Sequence, residues 1–268
     1  MSDPKTRNNV SVRGNLDSAQ TIVFVHGFGT DQTAWRAVAE PFMRDFRIVL
    51  LDNVGAGHAD PTAFVQHRYL NLTRYADDLI EVCQSLQLKN AIVVGHSAGA
   101  MIAVLAAKKA PDVFARLVLI GASPRYLNAD GYFGGFEKAD IDAVYASVAL
   151  DFGAWAQSYG GTMIGRMASD QEHQTFVASI RALPSDRALT VLCSILQSDH
   201  RDAVKALKQP TLIVQTRLDL AVPQQVAEYL HANIANSELV VIDTEGHLPH
   251  ITAAPAVISA MHPFLYNS

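Results

Sequence analysis

The sequence has few cysteines and no long apolar run, and these absences exclude several classes of protein. Only Cys83 and Cys193 occur in 268 residues, and they lack metal-ligand spacing. A disulfide framework or a zinc site is therefore not expected. No stretch of about 18 apolar residues is present, which argues against a membrane span. The opening MSDPKTRNNV is polar and unlike a signal peptide, so we expect a cytoplasmic protein.

Basic runs and nucleotide-binding motifs are also lacking. The formal net charge is −5, whereas nucleic-acid-binding domains usually carry a basic face. No G-x-x-x-x-G-K-[ST] loop occurs, and GAGHAD at 55–60 lacks the third glycine of a dinucleotide fingerprint. We therefore expect no nucleic-acid partner, no metal and no organic cofactor.

What the chain does contain is an alternation of short apolar runs with helical patterns. Apolar spacing of three and four residues predicts an amphipathic helix over 72–86, and an Ala-rich segment predicts another over 98–109, just before Pro111. The strand-like runs, rich in β-branched residues and Leu, are 21–26, 46–51, 91–95, 117–121, 211–216 and 238–243. This alternation predicts the α/β class, with a mostly parallel, doubly wound sheet.

One long interval, from about residue 124 to 201, contains helical patterns and no strand-like run. We interpret it as a helical insertion at 124–201 in a core formed by 1–123 and 202–268. Its first half concentrates aromatic residues, either as a small satellite core or as the roof of a pocket, and composition leaves both open. These residues are Tyr126, Tyr132, Phe133, Phe136, Tyr145, Phe152, Trp155 and Tyr159.

The octapeptide VVGHSAGA, residues 93–100, fits G-x-S-x-G with Ser97 at its centre. It lies between a predicted strand and a predicted helix, where a nucleophile is held on a tight turn above the sheet. Serine needs a base oriented by a carboxylate. Asp219 follows the strand in TLIVQTRLDLAVP, and His247 lies in the loop DTEGHLPH. The chain order Ser97, Asp219, His247 is that of α/β-hydrolases.

Upstream, VFVHGFGT places a Gly-rich loop after an early strand. The amides of Phe28 in this loop and of Ala98 after the nucleophile are the predicted oxyanion hole. Asp243 is the alternative acid, and Asp52 is interpreted as structural. For the other histidines, shaping of loops or surface positions is the favoured interpretation; they are His26, His58, His96, His200 and His250. Serine at the nucleophile position argues against chemistries that need an aspartyl ester.

With these motifs in place, the chain resembles one branch of the α/β-hydrolases, that of the bacterial stress regulator RsbQ and the plant strigolactone and karrikin receptors. The resemblance covers nearly the whole chain. It rests on HGFGTDQTAW, DNVGAGHAD, VGHSAGAMIA, GASPRYLNADGYFGGFE, SDHR and DTEGHLPH. The string SPRYLN…GGFE is the most specific of these, because it lies outside the general hydrolase motifs.

The resemblance implies a compact core, a four-helix lid over a small hydrophobic pocket, and slow cleavage of esters or enol ethers. In the plant receptors the ligand is a butenolide, and its binding or hydrolysis alters the lid for a protein partner. Tyr126 and Tyr159 stand where phenylalanine is common in those receptors, which implies a more polar pocket. By position, the implied lining residues are Phe28, Tyr126, Phe136, Val144, Trp155, Tyr159, Ile195 and Leu220.

Three functions are compatible with this pattern. The first is a serine esterase acting on a small hydrophobic ester, lactone or butenolide. The second is a ligand sensor that retains slow hydrolysis and signals to a protein partner through the lid. The third is a carbon–carbon bond hydrolase that uses the same triad. The esterase is the function we expect.

Overall fold

The computed structural model of the chain describes residues 3–266. Its strands form one sheet in the order β1-β3-β2-β4-β5-β6-β7, and every neighbouring pair is parallel except β1 with β3. The strands are β1 Ser11–Gly14, β2 Thr21–Val25, β3 Arg47–Leu51, β4 Ala91–His96, β5 Phe114–Ile120, β6 Thr211–Leu218 and β7 Ser237–Glu245. The predicted runs correspond to β2–β7, so the α/β class with a mostly parallel sheet is confirmed.

Helices cover both faces of this sheet. They are α1 Pro4–Arg7, α2 Arg36–Ala39, α3 Leu72–Ser85, α4 Ala98–Lys109, α5 Lys138–Leu150, α6 Phe152–Ile164, α7 Asp170–Arg181, α8 Ser185–Leu196, α9 Arg201–Lys205, α10 Gln224–Asn233, α11 Pro249–Thr252 and α12 Ala254–Tyr266. One core packs α3, α4 and α10 against the sheet, and the other packs α2 and α12 against the opposite face. None of the helices within residues 3–266 has the length and apolarity to cross a membrane.

The helix α3 shows how the sequence determines a local structure. Asn71 caps α3 by accepting a hydrogen bond from the Thr73 amide, and the apolar stripe of α3 is buried. Cys83 lies in that stripe, and burial raises the pKa of its thiol to about 12. A thiol in this state is inert packing material.

The segment between β5 and β6 holds α5 to α8, four helices of 12 or 13 residues. Over residues 124–201 the only β contacts are isolated bridges, one of which joins Arg125 to Asp199. Asp199 also accepts ion-pair contacts from Arg125 and Arg201, which fasten the two ends of the segment to each other. We call the four helices the lid. The division of the chain at 123/124 and 201/202 stays a prediction.

Candidate active site

Ser97 lies on the turn from β4 into α4, with φ of 54° and ψ of −120°. This is a strained backbone for a residue with a side chain, and such strain is typical of functional sites. The flanking glycines have no room for a Cβ atom. A Cβ on Gly95 would lie 2.5 Å from the Gly99 carbonyl oxygen, and one on Gly99 would lie 2.3 Å from that of Val25. The G-x-S-x-G spacing is therefore needed for α4 to pack this closely against β2 and β4.

The structure brings Ser97, His247 and Asp219 into one hydrogen-bonded chain. The Ser97 hydroxyl lies 2.9 Å from His247 Nε2, and His247 Nδ1 lies 2.8 Å from Asp219 Oδ2. All three residues are buried. The carboxylate fixes the tautomer, because only a protonated Nδ1 donates to it, and Nε2 is then free to accept the serine proton.

Asp219 owes its place to the loop after β6. Its second oxygen, Oδ1, accepts hydrogen bonds from the amides of Ala221 at 2.8 Å and Val222 at 3.0 Å. The carboxylate is thus bonded on both oxygens and stays in one orientation below the imidazole.

His247 is held through its backbone as well as its ring. Its amide donates to the carbonyl of Met163 in α6 at 2.7 Å. Its own carbonyl accepts from His96 Nε2 at 2.6 Å. The loop that carries the imidazole is therefore attached to the lid on one side and to the nucleophile turn on the other.

The backbone amides of Phe28 and Ala98 adjoin one cavity next to the nucleophile turn. Neither amide has a hydrogen-bond acceptor among residues 3–266. Two unpartnered N–H groups beside a serine turn are suited to hold an oxygen that becomes negatively charged during a reaction.

Three neighbouring histidines are buried and have their pKa values lowered, chiefly by loss of water. The rings of His96 and His250 lie 4.2 Å apart, and those of His96 and His247 lie 4.8 Å apart. His26 donates from Nδ1 to the Gly27 carbonyl and accepts from the Asn53 amide. The His247 imidazole thus has the neutral imidazoles of His96 and His250 as neighbours. The tight packing of His250 was not expected from its place in a predicted loop.

Aromatic residues of α6, of the Gly-rich loop after β2 and of the segment before α5 pack against one another. The Trp155 and Tyr159 rings stack at 4.7 Å, and Phe28 lies 6.2 Å and 6.0 Å from them. Tyr126 is buried near Ser97, and burial raises the pKa of its phenol to about 12. Phe136 lies 6.2 Å from Tyr126.

Three predicted lining residues remain: Val144 and Ile195 are packed inside the molecule, and Leu220 is exposed. Val144 packs against the same core from α5, and Ile195 lines the cavity beside Phe28 and Ala98. Leu220 differs from the rest in that it is 60 % exposed, and its place in the lining stays a prediction.

The remaining candidates do not join the triad. The Asp243 carboxylate is 83 % exposed and pairs with Arg217. Asp52 is buried and accepts hydrogen bonds from Asn9, Gln32 and His58, which is the structural position expected of it. Within the part of the chain that the structure describes, no group of three or more His, Cys, Asp or Glu residues is arranged to hold a metal ion.

A parallel α/β sheet with a serine turn after a central strand and a lid of helices defines an α/β-hydrolase. The sequence matches the α/β-hydrolase fold family over residues 20–254, and the chain belongs to this family. It is 40 % identical to karrikin insensitive 2 receptor CA of Petunia hybrida over 95 % of this chain and 94 % of that protein. It is 38 % identical to strigolactone esterase RMS3 of Pisum sativum, with 91 % of each covered.

A solved structure shows the same fold. A hydrolase from Oleispira antarctica superposes with a TM-score of 0.95 at 30 % identity, over 99 % of this chain and 97 % of the other. The predicted resemblance to the strigolactone and karrikin receptors is confirmed. The protein is an ester-cleaving hydrolase of the α/β family, related to receptors and to esterases.

Proposed function

We propose that the protein cleaves small hydrophobic esters, lactones or butenolide enol ethers with Ser97 as nucleophile, His247 as base and Asp219 as the orienting acid. The observation that carries the proposal is the continuous hydrogen-bonded chain from the serine hydroxyl through the imidazole to the buried carboxylate. Its parts correspond one by one to the needs of acyl transfer.

In the first half of the reaction, His247 Nε2 takes the Ser97 proton as the oxygen attacks the ester carbonyl. The carbonyl oxygen becomes negative and is held by the amides of Phe28 and Ala98. The proton then passes from His247 to the leaving alcohol or enol. In the second half, His247 removes a proton from water as the water oxygen attacks the acyl carbon on Ser97. His247 then returns this proton to the Ser97 oxygen as that oxygen leaves, which releases the acid and restores the serine hydroxyl.

The substrate class follows from the walls of the site. The lid contributes Trp155 and Tyr159, the segment before α5 contributes Phe136, and their rings favour a small apolar ligand. The buried phenol of Tyr126 near Ser97 adds a neutral hydrogen-bond donor, because its raised pKa keeps it protonated at neutral pH. This donor suits an ester, lactone or enol-ether oxygen.

The test is hydrolysis of 4-nitrophenyl butyrate and of a fluorogenic butenolide enol ether by the wild type and Ser97→Ala. We expect the variant to lose at least about 1000-fold in kcat/KM, since the nucleophile and its base act as a unit. Its unfolding temperature should stay close to that of the wild type. Equal turnover by both proteins would disprove the role of Ser97.

A second function, ligand sensing with slow hydrolysis, is supported by the hydrogen bond from the His247 amide to Met163 in the lid. A ligand that shifted His247 would, through this bond, also shift α6. Some relatives are named receptors. Intact-protein mass during reaction with the butenolide separates the two functions. A persistent adduct that depends on Ser97, with stalled turnover, would favour a sensor with a protein partner at the lid; repeated turnover without adduct would favour a metabolic enzyme.

A further inference from the structure

A side cavity is lined by Phe28 and Ala98 at one part of its wall and by residues of α8 at another. Its volume is about 40 Å³, which is room for roughly three water molecules when each needs 10–15 Å³. Most of the wall is apolar, from the β3 loop, α3, α4 and α8. The apolar lining includes Val54, Leu72, Ile102, Val191 and Ile195.

Two polar side chains stand out in this wall. Tyr75, on α3, is buried, and its hydroxyl has no hydrogen-bond partner among the described residues. A buried hydroxyl without a hydrogen-bond partner lowers the free energy of unfolding, so its presence in this wall calls for an explanation. Arg187, on α8, is half-buried and also lines the groove outside, where it marks the mouth of the cavity.

The guanidinium of Arg187 is held in place without a carboxylate. It lies over the ring of Phe64, 4.8 Å from the ring centroid. Gly55, at φ of 96°, leaves space for both side chains: a Cβ there would lie 2.7 Å from the Phe64 ring and 3.2 Å from Arg187 Cδ. The loop is therefore shaped around this arrangement.

Arg187 has no ion pair with any carboxylate within residues 3–266, although the chain has an excess of acidic residues. Arg7, Arg74 and Arg125 pair with acidic groups, whereas Arg47 and Arg116 are, like Arg187, half-buried and without an ion pair among the described residues. Arg187 differs from these two in that it lines the side cavity. The cavity thus combines apolar walls with a half-buried cation and a phenol donor. These features match a ligand with a short apolar chain that ends in a carboxylate.

We propose that the side cavity is a subsite for the acyl chain of short half-esters of dicarboxylic acids, whose free carboxylate binds Arg187 and accepts a hydrogen bond from Tyr75. The inference rests on the proposed function, because it places the ester carbonyl at Ser97 and between the amides of Phe28 and Ala98. Room for roughly three water molecules matches a chain of about three methylene groups between the two carbonyl carbons, because a methylene group and a water molecule are similar in size.

The first experiment compares kcat/KM for monomethyl glutarate with that for its neutral counterpart, methyl pentanoate. We expect the wild type to prefer the half-ester, and Arg187→Gln to lose about 10- to 100-fold on the half-ester alone, as for other charge-assisted hydrogen bonds. The matched control is Arg181→Gln, an exposed arginine of α7 with the same charge change. Arg181→Gln should leave both rates unchanged.

Tyr75→Phe supplies a readout that a structural role would not give. Removing a buried hydroxyl without a partner should raise the unfolding temperature or leave it unchanged, while preference for the half-ester falls about threefold to tenfold. A variant that is destabilised and keeps its preference would overturn the assignment of Tyr75.

Binding separates this inference from the proposed function. Calorimetry with monomethyl glutarate is performed on Ser97→Ala and on the double variant Ser97→Ala, Arg187→Gln. Weaker binding by the double variant supports the subsite even if no ester is hydrolysed. The subsite would be overturned if the wild type hydrolysed the half-ester and the neutral ester equally well and if both variants bound monomethyl glutarate with equal affinity. The proposed function would then still stand.

Discussion

At the residue scale, His96 directly precedes Ser97 and contacts the loop of His247, so its role needs to be accounted for. Its Nε2–H donates to the His247 carbonyl at 2.6 Å, and its ring lies between those of His247 and His250. His96 touches no reacting atom and is therefore a positioning residue. It connects the turn that carries Ser97 to the loop that carries His247.

The expected effect is on kcat. His96→Phe keeps an aromatic ring and loses the donor, so we expect kcat on 4-nitrophenyl butyrate to fall about 10- to 100-fold, which corresponds to a displaced base. KM should change less than threefold, because the apolar pocket is untouched. His96→Gln offers an amide donor to the same carbonyl and should recover much of the lost kcat. Equal losses in both variants would show that ring packing, and not the hydrogen bond, is what matters.

Much of the site was accessible to sequence reasoning, because its residues follow strands. Ser97 and Asp219 come directly after β4 and β6, His247 comes two residues after β7, and the carboxyl ends of parallel strands meet at one edge of a sheet. What the sequence did not reveal is the local bonding of Asp219: the amides of Ala221 and Val222 both donate to its carboxylate. No residue pattern in DLAVP indicates that wrapping.

At the element scale, the end of α6 and the His247 loop meet through two glycines. A Cβ on Gly246, at φ of 94°, would lie 2.5 Å from the Ile164 carbonyl oxygen, and one on Gly165 would lie 2.9 Å from Gly246 Cα. Both neighbours are backbone, which has little freedom to give way. The lid is thus in close backbone contact with the loop that carries the base.

Gly246→Ala should separate these elements and break the hydrogen bond from the His247 amide to Met163. We expect at least a tenfold loss of kcat on 4-nitrophenyl butyrate, measured at saturating substrate. Gly131→Ala is the matched control, because Gly131 also has positive φ, 69°, and nothing lies within 4 Å of its added Cβ. The control should lose only about 1 kcal/mol of stability from strain and retain activity. Comparable activity losses in both would refute the steric argument.

Secondary structure was predictable where apolar runs or helical stripes were long. The predicted strands match β2–β7, and the Ala-rich helix matches α4. The strand β1, SVRG, was missed because it is four residues long, half exposed and at the antiparallel edge, so it carries no buried run. The aromatic cluster indicated the inserted segment, but the contacts of its helices depend on residues distant in sequence.

At the scale of the whole molecule, the buried histidines make stability depend on pH. Burial lowers the pKa values of His26 and His96, and that of His250 to about 3. The unfolded chain binds these protons near pH 6.5, whereas the folded protein does not. Stability is therefore full above pH 6.5 and is lost as the pH falls from 6.5 towards 3, by up to tenfold in the unfolding constant per pH unit for each histidine.

His250→Phe tests this dependence at one position. Both ring nitrogens of His250 lack partners among residues 3–266, and its ring lies 4.6 Å from Trp35, so phenylalanine removes a proton site without removing a hydrogen bond. Urea unfolding between pH 4.5 and 6.5 should show a slope that is smaller by about one proton. The exposed His67 provides the control, since His67→Gln should leave the slope unchanged. A slope unaltered in His250→Phe would contradict the assignment.

The hydrogen bond between the His247 amide and Met163 also couples the position of α6 to that of His247. In the proposed mechanism His247 is the base, so a displacement of α6 that broke this bond would remove one backbone support of the imidazole. One contact would then link the passage of a ligand under the lid to the readiness of the site for reaction.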